Sequence, residues 1–129
     1  MREYKFRGIN LCGNWVYGDL THERMRMPDG KLQEYISVCG EPVFPKSVGQ
    51  YTGHSDVMGT DMYEDDIVTG YFDEDEWPAV VEWDEVSARF VLNGQNSTIP
   101  FDDMGGLEVR IIGNIHDNPD LLMEAEYGR

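Results

Sequence analysis

The residues of this chain that could do chemistry are mostly carboxylates, and the densest run of them is "DEDE". Four consecutive carboxylates could attract Ca²⁺ or Mg²⁺. However, successive residues of a strand point to opposite faces, and the run lacks the spaced Asp, Asn and Gly residues of an EF-hand loop. We therefore predict a solvated loop tip that binds no metal and is open to a protein partner, formed by Asp73, Glu74, Asp75 and Glu76.

The histidines and cysteines show no spacing that is typical of a reactive or metal-binding site. His22, His54 and His116 lie far apart, without the HxH or HxxxH spacing of zinc ligands. Cys12 and Cys39 form no CxxC pair, and without an export sequence they are predicted to be reduced, buried and inert. The chain also has no GxSxG, Walker or GxGxxG motif. No catalytic residue, metal or cofactor is predicted.

Charge is distributed unevenly along the 129 residues, whose formal net charge is -15. Residues 1–46 hold seven Lys/Arg and six Asp/Glu, whereas residues 47–88 hold twelve acidic residues and no Lys or Arg. Residues 89–129 hold three basic and seven acidic residues. An acidic surface of this size repels nucleic-acid phosphates and attracts basic protein surfaces. The simplest alternative role for it is solubility.

The first 46 residues leave a second interpretation open. Basic residues there are interleaved with aromatic residues that could stack on bases: Arg2, Lys5, Arg7, Arg24, Arg26 and Lys31 with Tyr4, Phe6, Trp15 and Tyr17. Strand alternation places the two kinds of side chain on opposite faces, with the aromatic residues in the core and the charges outward. Nucleic-acid binding through these strands is therefore the alternative prediction rather than the main one.

Short alternating segments dominate the chain. Residues 4–9 and 14–20 predict a first hairpin, and residues 22–38 predict a second one around the "PDG" turn. Later strands are predicted to begin near Asp66 and to cover residues 79–83, 88–92 and 107–115, with a short strand near "STIPF". The only predicted helix is short and begins near Asn118, a favourable N-cap that is followed by Pro119.

These elements together predict a mainly β fold with one short C-terminal helix. The later strands have the order and spacing of a small, strongly bent barrel of the SH3-like kind. One domain is expected over residues 1–129. Within it, an N-terminal hairpin layer at residues 1–46 is expected to pack on a barrel-like part at residues 47–129.

Four segments resemble the YopX family of phage and prophage proteins, in the same order over nearly the whole chain. They are "MREYKFRGIN", "VGQYTGHSDVMGTDMYEDDIV", "VVEWDEVSARFVL" and "IIGNIHDNPDLL". Two positions depart from the family pattern: Asp65 stands where the family usually has Gly, and His54 where it often has Leu. The resemblance implies a shared fold, a phage origin and higher oligomers, but it implies no known activity.

The glycine-rich and acid-rich stretch before "DIV" is interpreted as the entry into a barrel strand. "QYTG" is expected to supply an aromatic anchor and a turn with positive φ, and Asp56 and Gly59 are expected to make the next turn. The positions assigned structural roles in the whole chain are Gln50, Tyr51, Gly53, Gly59, Tyr63, Asp66, Ile67, Gly113, Asn114, Asn118 and Pro119.

The expected function is therefore that of a phage or prophage accessory protein, a non-enzymatic interaction or assembly module with an acidic face. Its expected partners are other copies of the chain and a basic host or phage protein. The polar, alternating start is not a secretory sequence, and no apolar run could span a bilayer. We expect no membrane contact and a location in the cytoplasm of the bacterial host.

Overall fold

A computed structural model describes residues 3–72, 75–76, 78–94, 98–101 and 108–122 of the chain. For residues 71–72 and 75–76 it describes the backbone alone. The chain divides into two compact units, Met1–Tyr51 and Thr52–Arg129. The predicted boundary between the N-terminal layer and the barrel-like part, after residue 46, lies five residues earlier. Each unit is built from short antiparallel strands, and the predicted mainly β fold is confirmed.

The first unit contains five strands and the start of a sixth. They are β1 (Phe6–Ile9), β2 (Trp15–Gly18), β3 (Leu20–Arg26), β4 (Leu32–Val38), β5 (Glu41–Pro42) and β6 (Gly49–Ser55), with a 3₁₀ turn at Pro45–Ser47. Strand β1 pairs with both β2 and β6, while β3, β4 and β5 form a separate three-stranded sheet. Both predicted hairpins are present.

The charged residue at the middle of β1 contradicts the expectation that basic side chains point outward. Arg7 is only 6% exposed, and its guanidinium lies over the Trp15 ring, 4.7 Å from the centroid. The cause is the position of β1 as an inner strand, paired on one side with β2 and on the other with β6. A stacked guanidinium can be buried in such a place because the aromatic face interacts favourably with the cation.

The second unit contains the strands β7 (Asp61–Tyr63), β8 (Asp66–Thr69), β9 (Tyr71–Phe72), β10 (Asp75–Glu76), β11 (Ala79–Asp84), β12 (Arg89–Asn93), β13 (Thr98–Pro100) and β14 (Arg110–Asn114). Five of them form a curled antiparallel sheet in the order β13-β12-β11-β8-β14, which gives a half-barrel. Every strand predicted in this unit therefore forms, and the bent-barrel prediction is confirmed.

One face of this curled sheet carries the core of the second unit. The cluster is formed by Met62, Val68, Ala79, Val81, Phe90, Leu92, Phe101 and Val109. Alternate residues of β11 and β12 meet there because their register pairs Val81 with Leu92 and Trp83 with Phe90. The short C-terminal helix is represented by residues 120–122, where the described chain ends.

The stretch from Gln50 to Gly53 differs from the predicted turn. These residues belong to β6, although Gly53 does have a positive φ of 89°. The next turn forms at Asp56–Gly59, where the Gly59 N–H donates to the Asp56 carbonyl (3.0 Å) and Gly59 has a φ of 84°. Beyond it, Tyr63 and Ile67 are buried. The turn at Asp56–Gly59 therefore links two strands that were not predicted, β6 and β7, and the chain enters β8 through a further turn after Tyr63.

Candidate interaction site

The acidic run chosen as the interaction site lies largely outside the described residues. Asp73 and Glu74 are not described, and the side chains of Asp75 and Glu76 are not described either. The backbone of the last two forms β10, which pairs with β9 through Asp75↔Phe72 and Glu76↔Tyr71. The interaction role of the four residues stays a prediction.

Several other carboxylates of the acidic segment are structural. Asp56 is 8% exposed and accepts backbone hydrogen bonds from Met58 (2.9 Å) and Thr60 (2.8 Å) on Oδ1 and from Ile111 (3.0 Å) on Oδ2. The first two bonds close its own turn, and the third reaches β14. Asp56 therefore holds its turn against the edge of the five-stranded sheet.

The protonation of Asp56 follows from the same contacts. Burial alone would raise the pKa of Asp56, because it disfavours the charged carboxylate. The N–H groups of Ile111, Thr60 and Met58, together with the charge of Arg110, outweigh burial and lower the pKa below the ordinary value of 3.8. Asp56 is therefore ionised in the folded protein at neutral pH and serves as an anionic acceptor.

Two further acidic residues, Asp65 and Asp66, shape the turn before β8. Asp66 is buried and accepts the Tyr63 N–H on Oδ2 (2.8 Å). Asp65 has a φ of 74°, and its Oδ2 lies 3.1 Å from Nε2 of His116. Its carbonyl also accepts the Ile115 N–H (3.0 Å). The left-handed backbone explains why glycine suits position 65, and the His116 contact is one that glycine could not make.

The "GNIHDNP" segment after β14 is a local hydrogen-bond network. Asn114 Oδ1 accepts the N–H groups of His116 (3.0 Å) and Asp117 (2.9 Å). Asn118 Oδ1 accepts the Asn114 N–H (3.2 Å), so this side chain points back to β14. The carbonyls of Asn118 and Pro119 accept the first N–H groups of the helical turn, from Leu121 and Leu122 (both 3.2 Å). The segment links the end of the sheet to the helix.

Replacing Asp65 by glycine is expected to change the free energy of unfolding by less than about 1 kcal/mol. Relief of the left-handed strain would stabilise the fold by about 1–2 kcal/mol, while the greater freedom of glycine in the unfolded chain would cost about 0.4–1 kcal/mol and loss of the His116 contact about 0.5–1.5 kcal/mol. In a His116→Ala background the loss of the contact no longer counts, so Asp65→Gly should then stabilise. Urea unfolding of the four proteins measures both differences, and equal destabilisation in the two backgrounds would contradict this account.

Three acidic residues lie close together in the hairpin of β11 and β12, where Glu85 is exposed and Glu82 and Asp84 are half-buried. We call residues 82–86 the acidic hairpin end; it contains Glu82, Trp83, Asp84, Glu85 and Val86. Trp83 is 44% exposed although its ring packs edge-to-face on the buried Phe90, with centroids 5.0 Å apart. Val86 is almost fully exposed. The hairpin end therefore offers a fixed aromatic ring and an apolar tip among carboxylates.

A shallow cavity of about 280 Å³ opens beside this hairpin end and is lined by Glu82, Trp83, Asp84, Glu85, Val91, Asn93 and Thr98. Glu82 accepts a hydrogen bond from Asn93 Nδ2 (3.0 Å), and Asp84 accepts one from Ser87 Oγ (2.7 Å). The Ser87 hydroxyl, followed by the Val86 N–H, lowers the pKa of Asp84. Both carboxylates are thus oriented by neighbouring residues, and the cavity has the charge needed for a cationic side chain.

The described residues give less support to the other candidate chemistries. No group of three or more His, Cys, Asp or Glu residues within them could hold a metal ion. Cys12 and Cys39 are free and exposed, so the prediction that they are buried is wrong. Both cysteines occupy turns, Cys39 with a φ of 54°, and turn residues lie at the surface.

The basic and aromatic residues of the first unit interact with one another. Lys5 Nζ lies 3.2 Å from Glu3 Oε2 and 4.6 Å from the centroid of the Tyr51 ring. Arg7 is buried against Trp15. The Arg7 guanidinium is therefore not open to a phosphate contact, and the Lys5 ammonium already pairs with a carboxylate.

Comparison with known proteins places the chain in a family but not in a functional class. No curated protein matches it. Of the solved structures, the crystal structure of protein EF1440 from Enterococcus faecalis is similar, with a TM-score of 0.59 and 18% sequence identity over 95% of this chain and 99% of that chain. At this identity the similarity shows the fold alone. Among the residues that the structure describes, no helix has the length and apolar character needed to cross a membrane. The family model described as YopX protein matches residues 3–123, nearly the whole chain. The chain therefore belongs to the YopX family.

Proposed function

We propose that this protein is a non-enzymatic interaction module of phage or prophage origin, whose second unit binds a basic protein surface. The observation that carries the proposal is the division of charge between the two units. Met1–Tyr51 holds seven Lys/Arg and six Asp/Glu, net +1, whereas Thr52–Arg129 holds three Lys/Arg and nineteen Asp/Glu, net -16. A surface with one dominant sign of charge speeds the encounter with a partner of opposite sign.

The acidic hairpin end supplies a point at which such a partner could be anchored. Exposed carboxylates by themselves add little binding energy, because solvent and salt screen them. Aromatic residues at the centre of an interface contribute more, and Trp is the residue type most enriched among such anchors. Trp83 has the exposure and the fixed orientation for this role, and a Lys or Arg side chain of the partner would enter the adjacent cavity. The proposed place of action is the cytoplasm of the bacterial host.

Nucleic-acid binding through the first unit is the second candidate. It is favoured by the near-neutral charge of that unit and by the exposed Arg24 and Arg26 of β3. The buried Arg7 and the strong negative charge of the second unit weigh against it, because both reduce the attraction for phosphates.

Capture of host proteins from a lysate tests the main proposal. Reversing the charge at Asp73, Asp75 and Glu76, or at Glu82 and Glu85, should weaken capture of a basic partner without lowering the melting temperature. The same capture should fall in the parent protein as salt rises, since exposed charges are screened over about 10 Å at 0.1 M salt. Mass spectrometry at low and high salt identifies the partner.

A matched control for the variant at Asp73, Asp75 and Glu76 carries the same change of net charge in the other unit. Glu3, Asp19 and Glu41 are exposed residues of the first unit, and their reversal to lysine should leave capture unchanged. Equal loss with the control variant would show that only net charge matters. Unchanged capture with the second-unit variants would remove the reason for assigning a function to the acidic surface. Loss of DNA retention on Arg24→Ala, with the acidic residues irrelevant, would favour the second candidate.

A further inference from the structure

The hairpin of β3 and β4 carries an open sheet edge. In the sheet order β3-β4-β5, the short strand β5 pairs only with the end of β4, through Ser37↔Pro42 and Val38↔Glu41. The Val43 N–H extends this pairing to the Ile36 carbonyl (3.0 Å). Among the described residues, no strand pairs with the outer edge of β4 before Ile36. Leu32, at the start of this edge, is 55% exposed.

The hydrogen bonds at the two ends of the hairpin show which backbone groups point to that edge. The Met27 N–H donates to the Lys31 carbonyl (2.8 Å), and the Cys39 N–H donates to the Asp19 carbonyl (3.0 Å). Hydrogen-bonded pairs alternate along an antiparallel ladder, so Gln33 and Tyr35 direct their backbone groups to β3. Leu32 and Glu34 must then direct theirs outward, as Ile36 does toward Val43.

We propose that a second copy of this chain pairs with β4 at this edge, antiparallel and about a two-fold axis at Gln33. Leu32 of each copy would exchange backbone hydrogen bonds with Glu34 of the other, and the two hairpins would form one continuous sheet. Self-complementary pairing about a two-fold axis is the commonest way in which soluble proteins form dimers. This inference concerns the first unit alone and does not depend on the acidic surface.

The hydrogen bonds and charges already present on β4 select this register from the alternatives. Residues whose backbone groups point outward must pair with each other, so the axis can lie at Leu32, Gln33 or Glu34. An axis at Glu34 would pair Leu32 with Ile36, whose carbonyl already accepts the Val43 N–H, and would set two Glu34 carboxylates, each paired with Arg24 (3.4 Å) in its own copy, directly opposite each other. An axis at Leu32 would bring Gly30, whose φ is 85°, into the ladder. With the axis at Gln33, the outward backbone groups of both Leu32 and Glu34 form hydrogen bonds, and Glu34 of one copy lies opposite Leu32 of the other.

The outer edge of β3 does not allow an equivalent pairing. The odd-numbered residues of β3 direct their backbone N–H and C=O groups to β4. The residues whose backbone groups point away from β4 therefore include His22, Arg24 and Arg26. Registers that use the centre of β3 would set Arg24 of one copy opposite His22, Arg24 or Arg26 of the other. Arg24 opposite Arg24 or Arg26 sets like charges directly opposite each other, which destabilises a sheet, and charged edge residues such as Arg24 and Arg26 are a common protection against pairing. The second copy is therefore directed to β4.

Disulfide cross-linking tests the register. In a Cys12→Ser, Cys39→Ser background, Gln33→Cys places the new thiols of two copies at the axis, as a non-hydrogen-bonded pair with Cα atoms about 4.5 Å apart. That separation lies within the range a disulfide spans. Mild oxidation should give a covalent dimer much faster than with Met25→Cys, which lies opposite Gln33 on β3 and is also exposed. Equal rates for the two variants would overturn the proposal.

Sedimentation of the full chain gives an independent readout. The parent protein should show a concentration-dependent mass of twice the 14.8 kDa chain. Leu32→Pro removes one outward N–H per copy and leaves the β3 ladder intact, so it should weaken dimerisation about tenfold with little change in melting temperature. A parent protein that is monomeric at about 100 µM, which corresponds to a dimerisation free energy weaker than about 5.5 kcal/mol, would overturn the proposal, as would a Leu32→Pro variant that is folded and as dimeric as the parent.

Discussion

Replacing Asp56 by alanine is expected to lower the free energy of unfolding by about 3–5 kcal/mol, since three backbone donors lose an anionic acceptor in a buried place. Two of those donors, Met58 and Thr60, shape the turn, and the third, Ile111, belongs to β14. Asp56→Asn should lie between the parent and the alanine variant, because its Oδ1 keeps the turn while its amide opposes the Ile111 N–H. Urea unfolding at pH 7 measures the differences.

Asp84→Ala is the matched control for Asp56→Ala. Asp84 also accepts a backbone N–H two residues ahead, from Val86 (3.1 Å), but it lies at the surface, and its other side-chain hydrogen bond within the described part of the chain comes from the nearby Ser87. Its replacement should leave the unfolding midpoint almost unchanged. A loss as large as that of Asp56→Ala would mean that any turn aspartate is equally important, and that the bond to β14 contributes little.

The advantage of Asp56 over asparagine should depend on pH. The folded pKa of Asp56 is lowered from 3.8, so the unfolded state binds this proton more readily than the folded state. The stabilisation is therefore complete above the unfolded pKa, and it is lost as pH falls through the lower folded pKa. The difference in stability between the parent and Asp56→Asn should shrink below pH 3.8 and stay constant between pH 5 and 8. A constant difference at all pH values would contradict the assigned ionisation.

Gly113→Ala is expected to destabilise the protein by about 2–4 kcal/mol, through overpacking and loss of a hydrogen bond. A Cβ atom at Gly113 would lie 2.5 Å from Oδ1 and 2.8 Å from Cγ of Asn118. Asn118 cannot move away without breaking its bond to the Asn114 N–H. Thermal and urea unfolding of the single variant measure the cost.

The double variant Gly113→Ala, Asn118→Gly identifies the clash as the cause. Removing the Asn118 side chain makes room for the new methyl group, so the double variant should lose clearly less than the two single variants added together. Gly30→Ala serves as a control for backbone effects alone, because its φ is 85° and nothing lies near the added Cβ. Its cost should be about 1–2 kcal/mol. Additive losses at Gly113 and Asn118 would show that they do not interact.

The strands that could be predicted from the sequence are those whose own residues carry the pattern. In β11 and β12, the residues that alternate toward the core are apolar, and the segments between them contain turn residues. Strand β6 could not be predicted because Gly49 and Gly53 give the segment a low strand propensity. Its formation depends instead on pairing with the distant β1. The same limit applies to Arg7, since only the order of strands shows that its position is internal.

The candidate site was predictable to a smaller extent. The negative charge of the second unit follows from composition alone. Composition does not show which carboxylates are surface charges, because the local sequence around Asp56 and around Glu82 is acidic in both cases. The bond from Ile111 to Asp56 spans 55 residues, and no local pattern reports it. The "DEDE" run was the most visible acidic feature, whereas the exposed Trp83 became apparent only from its packing on Phe90.

The turn at residues 56–60 also affects how the second unit resists aggregation. Strand β14 is an edge strand of the curled sheet, and free backbone groups at such an edge can template the addition of another chain. Here the Val109 carbonyl already accepts the Val57 N–H (2.9 Å), and the Ile111 N–H already donates to Asp56. This protection is made of hydrogen bonds within the unit rather than of net charge. It therefore persists in concentrated salt, where repulsion between highly acidic chains is largely screened.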